Sequence, residues 1–124
     1  MDLHVTPMSY GDGTPLPDGL RRALLYACPP GRDPQFRPLR ARLTRRDDGY
    51  LDVELRLRVT PEHCVGSSVW DVKIVYEPQD ATAAAPDAGQ EQYDWLALMI
   101  AAWVQEWWDT RKLLPGDSAE QVED

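Results

Sequence analysis

The sequence predicts an α+β domain: an antiparallel β-meander covered on one face by a long C-terminal helix, with a shorter helix near the N-terminus. Three observations carry this. Residues 37–60 alternate apolar and polar side chains around Asp47, Asp48 and Gly49, residues 69–77 alternate again, and residues 91–113 place large apolar side chains at helical spacing. With 124 residues, 43% hydrophobic and 27% charged, the chain has the make-up of one domain with a modest core, not of a disordered segment. That domain is expected over residues 1–113.

At the N-terminus Leu3 and Val5 alternate weakly and offer a short fourth strand, before Gly11, Gly13, Pro15 and Pro17 mark a loop. Asp18 then stands where an N-cap belongs. Leu20, Ala23, Leu24 and Ala27 share one face of a helix over 18–28, which Pro29 and Pro30 terminate.

The meander strands are expected at 37–46, 50–60 and 69–77. Leu39, Ala41 and Leu43 alternate in the first, and Leu51, Val53, Leu55, Leu57 and Val59 in the second. Directly opposed residues in an antiparallel pair point to the same face, and this selects the turn. A two-residue loop at Asp48 and Gly49 sets Leu43 against Glu54, core against solvent. A three-residue loop with Gly49 in the left-handed conformation, a type I turn plus G1 bulge, pairs Leu43 with Val53, Ala41 with Leu55 and Leu39 with Leu57. On the outer face the same register sets Arg42 opposite Glu54, Thr44 opposite Asp52 and Arg40 opposite Arg56, with Arg58 beyond. The third strand buries Trp70, Val72, Ile74 and Tyr76 and turns Asp71, Lys73, Val75 and Glu77 outward, so Asp71 or Glu77 is available to neutralise the arginines.

Residues 78–90, small and polar, read as a flexible loop. In the helix that follows, a step of 100° per residue gathers Tyr93, Leu96, Met99, Ile100, Trp103, Val104 and Trp107 within about 140°, a core-facing stripe. Trp103 and Trp107 are therefore expected on the sheet. Trp95 and Leu98 fall on the opposite, polar arc and Trp108 on its margin, so these three, flanked by Asp94 and Asp109, are the candidate protein-contact residues. Residues 114–124 carry four acids and no base and are expected to be a disordered tail.

Charge narrows the function classes. The formal net charge is −8, divided as +2 over residues 1–58 and −10 over residues 59–124. Such a surface repels phosphates and argues against non-specific nucleic-acid binding or attachment to an anionic membrane; a basic protein partner fits better. The N-terminal residues lack the charged and apolar regions of a secretory signal, and the longest apolar run, Trp95 to Val104, is half a membrane span. A cytoplasmic protein is expected, with its two cysteines reduced. The absence of Asn and the two lysines against eleven arginines are a composition typical of high-GC bacterial genomes.

No motif for chemistry stands out. Cys28, His63, Cys64 and His4 lack the paired spacing of zinc ligands, and neither they nor Asp71 and Glu54 are spaced so as to converge on one centre. No enzyme activity, cofactor or metal is expected. The leading reading is a small acidic domain that binds a protein through Trp95, Leu98 and Trp108, in the manner of an immunity protein, chaperone or accessory factor; a second copy meeting it across a two-fold axis is a further partner. The alternative is a nucleic-acid or anion site on Arg40, Arg56 and Arg58. The order helix, three strands, helix is similar to that of double-stranded-RNA-binding domains, but the last helix here begins Glu91, Gln92, Tyr93, Asp94 and lacks the basic start that grips phosphate.

Overall fold

The computed structural model describes residues 6–27, 34–61 and 66–122. Five strands form one mixed sheet in chain order: β1 (Met8–Tyr10), β2 (Gln35–Arg45), β3 (Leu51–Thr60), β4 (Ser68–Tyr76) and β5 (Ser118–Val122). Helices α1 (Asp18–Ala27) and α3 (Gln90–Thr110) contribute to the core on one side of the sheet, and a one-turn helix α2 (Pro78–Ala81) runs into a 3₁₀ turn at Thr82–Ala84. No described helix is long and apolar enough to cross a membrane.

The central hairpin follows from alternation and one glycine. Leu43 pairs with Val53 and Ala41 with Leu55, all buried. Gly49 has φ +89°, its N–H donates to Arg46 O at 2.9 Å, and the Arg46 N–H donates to Tyr50 O at 2.8 Å, the geometry of the three-residue bulged turn. The register departs from expectation at Leu39. There the pairing shifts, Pro38 takes the inward place opposite Leu57, and Leu39 becomes the half-buried extra residue of a bulge. Pro38 has no N–H to give to a regular ladder, which is why the irregularity falls beside it.

Both edges of the meander carry strands that alternation does not reveal. β1 lies parallel to β2, Met8 beside Ala41, with α1 as the crossover that parallel pairing requires. Three residues are too few for a periodic signal; Leu3 and Val5, the expected fourth strand, lie outside the described residues. The tail expected to be disordered instead forms β5, antiparallel to β4, with Ala119 opposite Val72 and Val122 opposite Val69. Its anchor is an acid: Asp117 accepts the Val75 N–H through Oδ1 and the Trp103 indole N–H through Oδ2, each at 2.9 Å, and so ties the returning chain to both β4 and α3. Charge that suggests solvation is here spent on two protein donors.

The helices differ from expectation in detail. In α1 the Arg21 N–H bonds Pro17 O, so Asp18 is the first helical residue and Pro17 caps it. Residues 78–84 are helical, not a loop, because Ala81, Ala83 and Ala84 are small enough to be buried there. In α3, Gly89 caps the start while the Gln92 side chain accepts its N–H, and the helix ends at Thr110, earlier than residue 113, with Arg111 in the left-handed region at φ 60°. Tyr93, Leu96, Ile100, Val104 and Trp107 face the core as expected. Met99 does not: it is exposed, Trp103 is half-buried, and Ala97 is buried in their place. The stripe is rotated because α1 packs on that flank, where Gln90 Nε2 donates to Gly19 O at 3.1 Å.

Candidate functional site

The outer arc of α3 presents Trp95, Leu98, Met99 and Ala102 to solvent, at positions i, i+3, i+4 and i+7 of one helix face. Trp95 is 41% exposed, Leu98 68% and Met99 42%, which makes them the largest exposed apolar side chains of any described helix. Nothing in the fold requires apolar groups there. The stripe is bracketed by acid: Glu91 lies one turn before Trp95, Glu106 one turn after Ala102, and Asp94 and Asp109 flank it, all exposed. Asp94 accepts from Gln90 at 2.9 Å and Asp109 from Gln105 at 3.1 Å, bonds that fix both carboxylates without neutralising them. The sequence of α3 contains no Lys or Arg. Of the predicted contact residues, Trp95, Leu98, Asp94 and Asp109 therefore surround one surface. Met99 belongs to it although periodicity alone places it in the core; its i+4 spacing from Trp95 is the signal that finds it.

Trp108 does not join this surface. It is half-buried at the other flank of α3, edge-on to Phe36 (6.2 Å), Trp70 (6.1 Å) and Trp107 (5.7 Å). The Arg111 guanidinium stacks over its ring at 3.9 Å and lies near Trp70 and Trp107 at 5.5 and 5.9 Å. A left-handed backbone costs a non-glycine residue about 1–2 kcal/mol, and this stacking offsets it. Trp108 thus closes the core at the end of the helix.

The arginine face forms, but as an ion-paired surface. Arg40 and Arg56 are directly opposed and Arg58 pairs with Arg37 and Val69. Asp71, beside Arg56 on β4, receives its Nε and Nη2 at 2.8 and 2.9 Å, and this bidentate hydrogen bond, with Arg40 nearby, lowers the Asp71 pKa below its ordinary value. Arg58 donates to Ser67 Oγ at 3.0 Å. A shallow depression of about 220 Å³ between Arg40 and Lys73 is also lined by Glu54, Asp71 and Glu120, so opposite charges alternate around it.

The candidates His4, Cys28, His63 and Cys64 lie outside the described residues. Asp71 is committed to Arg56, and Glu54 stands opposite Lys73 and Arg42 on the open face of the sheet. Among the described residues no group of three or more His, Cys, Asp or Glu side chains is placed to hold a metal ion. Compared with protein-family models, curated proteins and solved structures, the chain matches none.

Proposed function

We propose that this is a protein-interaction domain that binds a basic, amphipathic segment of another protein along the outer face of α3. The observation that carries the reading is an exposed apolar stripe on a helix whose only charges are acidic. Burying Trp95, Leu98 and Met99 against a partner supplies hydrophobic free energy, and Glu91, Asp94, Glu106 and Asp109 face the partner's cations. A second copy fits less well. Two α3 helices related by a two-fold axis would oppose acids at both ends of the contact, on chains of net charge −8. A cytoplasmic setting goes with this reading, and it needs neither catalysis nor cofactor. The arginine face supports the anion-binding alternative less, since Asp71 already occupies Arg56.

The test is calorimetric titration with a synthetic amphipathic peptide of α3's own length, 21 residues, bearing leucines on one face and lysines and arginines on the other. A peptide of the same composition with its faces scrambled is the control. Binding of the first, weakened by salt and lost in a folded Trp95→Ser/Leu98→Ser variant, supports the proposal. Equal binding of both peptides, or undiminished binding by the variant, overturns it.

A further inference from the structure

Along β2, Ala41 and Leu43 point to the helix-covered side of the sheet, and the next residue on that side is Arg45, paired with Leu51. A core-face position thus carries a guanidinium. Arg45 is exposed and makes no ion pair among the described residues, unlike Arg46 and Arg56. It stands at the rim of a cavity of about 560 Å³, within the range of small-molecule sites. Buried Leu43, Leu51 and Ala84 lie beneath it, and the surface open to a ligand comes from Tyr10, Ala85 and Pro86.

The walls are held in place before any ligand arrives. The Tyr10 hydroxyl donates to Ala84 O at 2.7 Å, and the Tyr93 hydroxyl donates to Ala85 O and Pro86 O at 2.8 and 3.0 Å. Asp12, the one carboxylate on the rim, accepts the Thr14 N–H at 2.9 Å, which holds its pKa below the ordinary value. The remaining unengaged charge on the rim is the Arg45 cation.

We infer that this cavity binds a small molecule with an apolar body and a carboxylate, the body against Tyr10, Ala85 and Pro86 and the carboxylate paired with Arg45. The site is separate from the outer face of α3, and neither reading depends on the other.

Heteronuclear NMR titration with 1-naphthoate and its neutral analogue 1-naphthamide tests this. Naphthoate is expected to shift the Tyr10 ring and Ala85 methyl resonances and to bind about tenfold more tightly than the amide, the difference one charge-assisted pair makes. Arg45→Gln should remove that preference, Ala84→Leu should abolish binding of both probes, and Trp95→Ser/Leu98→Ser should change nothing. Absence of shifts, shifts mapping to Trp95 and Met99 instead, or an unchanged preference in Arg45→Gln would overturn the inference. Should Ala84→Leu fail to fold, the wild-type shift map and the Arg45→Gln comparison decide it alone.

Discussion

Trp95 and Trp107 sit twelve positions apart on one helix, and substituting each with alanine should have opposite consequences. Trp107 is 3% exposed and packs against the rings of Trp70, Trp103 and Trp108 at 5.3, 5.9 and 5.7 Å. Truncating a buried tryptophan costs about 3–5 kcal/mol, and the lost ring pairs place Trp107→Ala toward the upper end. Against a total stability of about 5–15 kcal/mol, that lowers the melting temperature by roughly 10–20 °C for a chain of this size. Trp95 is 41% exposed and its ring makes none of these pairs. Trp95→Ala should stay within about 0.5 kcal/mol of wild type, because alanine's better helix propensity offsets the little packing lost. Urea unfolding followed by far-UV circular dichroism measures both variants without relying on indole emission. Equal losses, or a larger loss for Trp95→Ala, would mean that the helix presents a different face to the sheet.

Two further outcomes follow from single interactions. Asp117→Ala leaves the Val75 N–H and the Trp103 indole N–H without their acceptor, so it should cost about 1–3 kcal/mol, and amide hydrogen exchange should show β5 losing protection before β3. Tyr10 is raised to about 12, first by burial and then by Tyr93, Asp12 and Asp87. An unfolded tyrosine ionises near 10, so the unfolded chain sheds this proton first; the contribution of Tyr10 is complete below about pH 10 and is lost as pH rises through 12. Phenolate absorbance in wild type and Tyr10→Phe should isolate one late-titrating group, and a Tyr10 midpoint near 10 would contradict the burial described.

What the sequence makes legible is what repeats. The 41–43 and 51–57 alternation, together with the need for Gly49 to turn left-handed, determines the turn and the pairing of Ala41 and Leu43 with Leu55 and Val53, though not the shift at Leu39, and the period of α3 identifies most of its core face. Features that depend on one distant partner escape. β1 is three residues long and is defined by Ala41 and its neighbours, β5 by the two bonds of Asp117, and the helical turn at 78–84 by the room its alanines leave. The exposed apolar stripe is legible in Trp95 and Leu98, whose apolar character fits no amphipathic helix. Met99 and Trp108 differ from expectation for one reason: both lie at the border of the core stripe, where the position of α1 and the Phe36–Trp70 cluster decides which side is covered. Arg45 breaks a strand pattern, and the break acquires meaning only once the cavity beside it is seen.

On the function proposed above, a basic partner covers the outer arc of α3. Mapping backbone amide shifts while the amphipathic basic peptide is titrated tests it most directly. Perturbations should concentrate between Glu91 and Glu106 on the Trp95, Leu98, Met99 and Ala102 face. Shifts scattered over the acidic surface, or concentrated at Tyr10 and Arg45 while that face stays silent, would contradict it.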